Sequence, residues 1–222
     1  MKIALIPARK GSKRLIDKNK LNFKGHPLIY FSIRYAIVNN FDKIVVSSDD
    51  TDIIELAKEM KVDFIKRPDT LSSDITPIID VLKHLIKLNS INDSSSITLL
   101  QPTNPLREKN TFEIAYEKFI NEECDSVISI SKNSRKIGLV DDYFNPMYIP
   151  GNRSQDLNTY YENGQLYIFK PKNIIKNDLF GTNVSYVITD DYFGRVDIDD
   201  KYDLELAKII FNDNEEKFKY LL

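Results

Sequence analysis

The 222-residue sequence is poor in the residues that build metal clusters, disulfide frameworks and glycine-rich nucleotide loops: it has one cysteine, two histidines and seven glycines. A single cysteine, Cys124, excludes an internal disulfide framework and any metal site made of several thiolates. His26 and His84 lie too far apart to suggest a local zinc motif. No two glycines form a Gly-x-Gly pair, so the dinucleotide-binding fingerprint is absent. Gly11-Ser12-Lys13 lacks both the leading glycine and the Ser or Thr after the lysine that a P-loop needs. No apolar run approaches the ~20 residues needed to span a bilayer, and the N-terminus reads as a strand interrupted by Arg9 rather than as a signal peptide. The expectation is a soluble cytoplasmic protein with no membrane partner. A formal net charge of −2 provides no global field for a polyanion, so nucleic acid is not an expected partner either.

What is present is a regular alternation of short apolar runs and helical periods. Strand patterns at Ile3–Ile6, Lys43–Val46, Val62–Ile65, Ile97–Leu100 and Ser126–Ile130 are separated by amphipathic stretches at Leu28–Val38, Thr51–Met60, Ile78–Leu88 and Asn110–Asn121. This order predicts βαβ units and a Rossmann-like α/β fold: three layers, α/β/α, around a mostly parallel sheet. From about residue 132 to 160 the chain turns polar and aromatic, punctuated by Pro146, Pro150 and Gly151. Strand pattern resumes at Gln165–Phe169 and Val184–Ile188, and a helix at Leu204–Phe211 closes the chain. The length suits one domain over 1–222, with the irregular stretch as a lid or arm.

Charge is unevenly distributed. Between Arg9 and Lys24 there are seven Lys or Arg and one acid, Asp17, whereas Asp190 to Glu216 holds ten acids and three cations. Such local repulsion offers folding nothing unless anions meet it, and Gly11, Ser12 and the neighbouring backbone amides can approach phosphates closely. The loop reads as a polyphosphate cradle, suited to nucleotidyl transfer, in which a leaving pyrophosphate must be neutralised.

Asp197 and Asp199 are two apart in an extended Val-Asp-Ile-Asp segment, which puts both carboxylates on one face and Ile198 toward the core. Paired oxygens of this kind suit Mg²⁺, which takes a few carboxylates plus phosphates and waters. Capping of the helix near Lys201 by Asp199 or Asp200 is the competing structural role, with Asp203 in its first turn. Asp49-Asp50 reads as an N-cap for the Thr51 helix, and neither histidine carries a chemical role. Gln101 follows a central strand at the carboxyl edge, where open α/β sheets bind ligands and where an amide can read a base.

These motifs together resemble the acylneuraminate cytidylyltransferases, the CMP-sialic acid synthetases and their legionaminic and pseudaminic relatives. The resemblance is carried by Arg9-Lys10-Gly11-Ser12-Lys13 with Lys18-Asn19, by Lys66-Arg67-Pro68 and Ser73-Asp74, and by Gln101-Pro102-Thr103-Asn104-Pro105-Leu106-Arg107. It continues through Arg153-Ser154-Gln155-Asp156, Tyr161-Glu162-Asn163-Gly164-Gln165-Leu166-Tyr167-Ile168 and Asp197-Ile198-Asp199 with Asp203. It implies that CTP is bound by Arg9, Gly11, Ser12, Lys13, Lys18, Asn19, Arg67, Ser73, Asp74 and Gln101. Arg9, Lys13, Lys18, Asp197 and Asp199 would do the chemistry, the last two with Mg²⁺. The acceptor, a 2-keto-3-deoxy nonulosonic acid, would meet Gln101, Arg153, Gln155, Tyr161, Asn163 and Lys136, with Arg153 as the bidentate partner of its carboxylate.

The resemblance also makes 132–160 a dimerisation arm and the protein a homodimer. Tyr161-Glu162 departs from the Arg-Pro often found there in sialic acid synthetases, which weakens the case for N-acetylneuraminate itself and leaves legionaminic, pseudaminic or related acids open. Three other readings compete: activation of an eight-carbon keto-deoxy acid, another sugar nucleotidylyltransferase, and a non-catalytic nucleotide-sugar sensor of the same fold.

Overall fold

The computed structural model describes residues 1–12 and 14–222, apart from the Asp191 side chain. Strand β1 (Lys2–Pro7) is followed by a small hairpin, β2 (Asn22–Phe23) and β3 (His26–Pro27), and by helix α1 (Leu28–Val38). Next come β4 (Lys43–Ser48), α2 (Thr51–Glu59), β5 (Asp63–Lys66), α3 (Ile78–Asn89), β6 (Ser96–Leu99), α4 (Thr111–Asn121) and β7 (Ser126–Asn133). The remainder holds the hairpin β8 (Gly138–Val140) and β9 (Phe144–Pro146), then β10 (Thr159–Phe169), α5 (Pro171–Ile175), β11 (Val184–Ile188), α6 (Asp191–Gly194), α7 (Lys201–Asp213) and α8 (Glu215–Phe218).

Seven strands form one sheet in the order β11-β7-β10-β6-β1-β4-β5. All run parallel except β10, which is antiparallel to both β6 and β7. Period-two alternation in β1 sends Ala4 and Ile6 to one face and Ile3 and Leu5 to the other, so each face has its own core. The first core takes Phe31 and Ile33 of α1, Phe112 of α4 and Phe211 of α7; the second takes Leu82 and Leu85 of α3 and Ile174 of α5. This is the expected three-layer α/β architecture. Among the described residues no helix is long and apolar enough to cross a membrane.

The sequence pattern and the structure part company in the second half. β7 runs on to Asn133 and β10 begins at Thr159, so strands of the main sheet enter both ends of the irregular 132–160 stretch. Between Glu162 and Tyr167 the register of β10 against β7 shifts, and Asn163 to Leu166 bulge out of the ladder. Gly164 permits the bulge: its φ is 75°, and a Cβ there would lie 3.1 Å from Asn104 Oδ1.

Asp125, just before β7, ties down the chain entering β11. Its carboxylate accepts bonds from the Thr182 and Asn183 backbone N–H groups (3.1 and 3.2 Å) and from the Thr182 hydroxyl (3.2 Å). These bonds, the Asn183 one foremost, hold its carboxyl at about 2, against an ordinary 3.8. The stabilisation is present above the unfolded-state value and is lost as pH falls toward 2. Asp125→Ala is expected to cost about 2 kcal/mol at neutral pH. In urea denaturation the gap from wild type should close below about pH 3.

Candidate active site

A cavity of about 260 Å³ opens at the carboxyl ends of β1 and β6. Chain order reverses there, since β4 and β5 lie on one side of β1 and β6 on the other. Its walls include Arg9, Ser12, Lys18, Asn19, Arg67 and Gln101, and none of its described lining residues is acidic. Six residues expected to bind nucleotide therefore converge, although they come from three separate loops. Gly11 lies in the same loop as Arg9 and Ser12, with φ 68° and its carbonyl 2.6 Å from Arg9 Nη1. Lys13 lies outside the described residues.

The loop's cations are matched by carboxylates from distant parts of the chain. Lys18 Nζ and Arg14 Nη1 each sit 2.8 Å from an oxygen of Asp199. Arg9 Nη2 lies 2.5 Å from Asp74 Oδ1, which ties the first loop to the loop after β5. Lys20 contacts Asp50 (3.0 Å) and Asp52 (2.9 Å), and both raise its pKa. The local repulsion in the sequence is thus relieved within the protein. Asn19 donates to the Arg9 carbonyl (3.1 Å), closing the loop on itself. Ser73 accepts from the Ile75 N–H (3.3 Å).

Arg67 is 5% exposed and donates to the Ser47 carbonyl (2.9 Å) and hydroxyl (3.3 Å). Burial lowers its pKa, and Asp49 opposes the shift. Asp50 caps α2, as its spacing suggests, by accepting from Asp52 N–H (2.9 Å). Asp49 accepts from the Lys10 N–H (2.7 Å).

Val196 and Ile198 are buried while Asp197 is exposed and Asp199 half-buried, which is the expected alternation, although the segment is not part of the sheet. Capping of α7 falls to Asp200, whose side chain accepts from Tyr202 and Asp203 N–H groups. Asp203 completes the capping box and also accepts from the Asp199 N–H (2.9 Å). Asp199 is therefore not needed as the cap. Two carboxylates facing one way suit a hard cation that takes its other ligands from phosphates and water. Among the described residues no group of three His, Cys, Asp or Glu forms a ready-made metal cage.

The loop after β6 carries this acid segment. The Thr103 carbonyl accepts from Ile198 N–H (2.9 Å), and Asn104 Nδ2 donates to the carbonyls of Val196 (2.9 Å) and Asn163 (3.2 Å). Beneath it lies Arg107, fully buried and without a carboxylate partner among the described residues. Its guanidinium donates to the Gln165 carbonyl (2.5 Å), the Ser32 hydroxyl (3.0 Å) and the Gln101 carbonyl (2.6 Å). Burial lowers its pKa to about 10, so it stays charged at neutral pH. Sequence reasoning assigned Arg107 no role. The signal was an arginine ending an otherwise apolar Pro-Leu stretch.

The residues expected on the acceptor side are more scattered. Arg153 is paired with Asp156 (2.7 and 2.9 Å) in a short turn, with its side chain 70% exposed. Gln155 shares that turn, and Lys136 lies over the Tyr148 ring at 5.5 Å. Asn163 is 5% exposed, and its amide nitrogen bonds to the Ser131 (2.8 Å) and Thr189 (2.6 Å) hydroxyls, where it secures the bulge. Tyr161 lines a second cavity rather than the first.

A family model described as Cytidylyltransferase matches residues 3–220. The pseudaminic acid cytidylyltransferase of Campylobacter jejuni is 34% identical over 229 residues, covering 96% of this chain and 97% of that protein. The N-acylneuraminate cytidylyltransferase of Escherichia coli O18:K1:H7 is 30% identical over 92% of this chain, which spans about half (51%) of that longer relative. A solved CMP:2-keto-3-deoxy-manno-octonic acid synthetase complexed with CTP shares the fold, with a TM-score of 0.71 at 17% identity, covering 96% of this chain and 99% of that one.

Replacing Arg107 removes a donor from the Gln165 carbonyl, the Ser32 hydroxyl and the Gln101 carbonyl, of which the last keeps the Ser32 hydroxyl and the Asn104 N–H. Arg107→Met is expected to cost about 3 kcal/mol in urea denaturation, and a loss below roughly 1 kcal/mol would contradict the bracing role.

Proposed function

The chain belongs to the cytidylyltransferase family, and on that footing we propose that it transfers CMP from CTP to a nine-carbon 2-keto-3-deoxy sugar acid. The anomeric 2-hydroxyl oxygen attacks the α-phosphorus, and the bond from that phosphorus to the oxygen bridging to the β-phosphorus breaks. Pyrophosphate leaves with the bond's electron pair, and the hydroxyl proton passes to water. The observation that carries this reading is the acid-free cationic cavity joined through Lys18 to Asp199. The acceptor class follows the printed names of the pseudaminic and N-acylneuraminate relatives. Since the reaction consumes CTP, we assign it to the cytoplasm.

Arg9 and Lys18, with Lys13 from the same loop, oppose charge building on the departing pyrophosphate. Gly11, Ser12 and Asn19 shape the loop around the phosphates. Arg67 and Gln101 face the base, and Asp74 with Ser73 positions Arg9. Asp197 and Asp199 would hold Mg²⁺, which would supply charge neutralisation to phosphate oxygens during in-line displacement. Lys18 and Arg14, which contact Asp199, would then be available to the triphosphate. No covalent nucleophile is required, because positioning and charge neutralisation suffice.

The 132–160 arm supports a homodimer. Leu139, Val140, Tyr143, Met147 and Ile149 on and beside the β8–β9 hairpin are each more than half exposed. A second copy covering them would bring Arg153, Gln155 and Lys136 toward the neighbouring acceptor site, beside Tyr161 and Asn163.

The test is pyrophosphate release from CTP with a panel of eight- and nine-carbon keto-deoxy acids, with the product read by mass spectrometry. A CMP-linked nine-carbon acid is expected. CTP binding without turnover of any acid would favour a sensor, and preference for an eight-carbon acid would move the acceptor class. Asp199→Ala is expected to fold normally and lose metal-dependent turnover at least a hundredfold, about 3 kcal/mol of barrier. Near-normal activity would refute its metal role. Val140→Glu combined with Met147→Glu is expected to halve the mass measured by light scattering and to raise the acceptor KM above that for CTP. An unchanged mass would refute the arm's role.

A further inference from the structure

Asp197 and Asp199, the acids assigned above to the cation, lie in a segment that belongs to no strand among the described residues. A strand would fix such a segment through its ladder; here the backbone polar groups need other partners. They have four. The Val196 carbonyl accepts from Asn104 Nδ2 (2.9 Å), and the Ile198 N–H donates to the Thr103 carbonyl (2.9 Å). The Asp199 and Asp200 N–H groups both donate to the Asp203 carboxylate (2.9 and 3.0 Å).

The two peptide groups that flank Asp197 are therefore held by two successive residues, Thr103 and Asn104. Thr103 uses its carbonyl, which any residue type would supply. Asn104 uses its side chain, so this hold depends on the residue at position 104. Asn104 is 1% exposed. Its amide nitrogen also donates to the Asn163 carbonyl in the β10 bulge (3.2 Å), so both of its N–H bonds are committed. Asn163 is in turn tied to the Ser131 and Thr189 hydroxyls, which fixes that end to β7 and to the chain leaving β11. On the other side the Asn104 N–H donates to the Gln101 carbonyl (3.3 Å), and Gln101, Pro102 and Thr103 line the first cavity. One buried amide thus connects the cavity wall, the bulge of the antiparallel strand and the peptide before Asp197.

We infer that Asn104 is a positioning residue for the divalent cation: by holding the Val196 carbonyl it keeps the Asp197 carboxylate on the side of Asp199, and so sets the affinity of the acid pair for a cation arriving with the nucleotide. This rests on the proposed assignment of both acids to a metal in CMP transfer. An amide suits the position because one nitrogen carries two donors, enough for two carbonyls from separate segments. A serine has one donor and a shorter reach, and an alanine has none. A residue that only anchored the fold would weaken metal-free nucleotide binding as much as cation binding, and would do so whether or not residue 197 is an acid.

The test reads cation binding rather than turnover. Wild type, Asn104→Ser and Asn104→Ala are each saturated with a CTP analogue carrying a methylene between the α- and β-phosphorus. Free Mn²⁺, standing in for Mg²⁺, is then followed by electron paramagnetic resonance, with the analogue alone as control. Asn104→Ala is expected to weaken Mn²⁺ binding about tenfold or more, and Asn104→Ser by less. Analogue affinity measured by calorimetry in EDTA should stay within about twofold of wild type in both variants, because the cationic loop is untouched. In an Asp197→Asn background the alanine change should cost less than about twofold further, because the carboxylate it orients is already gone. An Asn104→Ala protein that binds Mn²⁺ like wild type would overturn the inference. So would an equal loss of metal-free analogue binding, an undiminished loss in the Asp197→Asn background, or a wild-type complex that binds Mn²⁺ no more tightly than the analogue alone. If the alanine variant does not fold, Asn104→Ser carries the same comparison, and wild-type Mn²⁺ affinity in it would overturn the inference equally. If the expected pattern is found yet wild type releases no pyrophosphate from CTP with any sugar acid, the transfer reading fails while the positioning role stands.

Discussion

The contact of Lys18 and Arg14 with Asp199 joins the cationic N-terminal loop to the acid segment, bridging 181 residues of sequence between Lys18 and Asp199. Lys18 is 14% exposed at its side chain and Asp199 is 32% exposed, so this pair is screened far less than a surface ion pair. Arg14, at 72%, is screened by solvent, so its 2.8 Å contact with Asp199 adds little. The protein's own acids pair with the cations of the loop. In the proposed transfer, a triphosphate carrying its own cation would exchange partners with both sides, so that little net charge need be left bare.

That exchange requires the acid segment to be held independently of the loop. Thr103 and Asn104 grip its backbone from one side, and the Asp200–Asp203 capping box fixes it from the other. Arg107 in turn braces the loop bearing Thr103 and Asn104, binding the carbonyls of Gln101 and of Gln165 in the β10 bulge, while Tyr220 donates to its own carbonyl. A buried arginine with only neutral acceptors costs desolvation energy. Its compensation is geometric: one planar group sets the spacing between Gln101, on the cavity wall, and the antiparallel strand.

Much of this was legible in the sequence, and the misses share a cause. β1, β4, β6 and their helices follow from four-residue apolar runs alternating with helical periods, because a parallel strand buried on both faces must be apolar throughout. The charge concentration in residues 9–24 and the Asp197/Asp199 alternation were visible because each is local. The antiparallel direction of β10, its bulge and the extension of β7 to Asn133 depend on pairings fixed elsewhere in the chain. So do the salt bridges of Arg9 with Asp74 and of Lys18 with Asp199. Asn163 illustrates the limit most clearly. Its motif gave no sign that the Ser131 and Thr189 hydroxyls, neither near it in sequence, bond its amide nitrogen.

The central claim is that the N-terminal cations and the twin acids act on one nucleotide. A crystal structure of the protein with CTP and Mg²⁺ tests it most directly. The account predicts phosphate oxygens within hydrogen-bonding distance of Arg9 and Lys18, Asp199 released from Lys18, and a metal joining Asp199 to the same triphosphate. A nucleotide seated elsewhere, or one bound with Asp199 still on Lys18 and no metal between acid and phosphate, would contradict it.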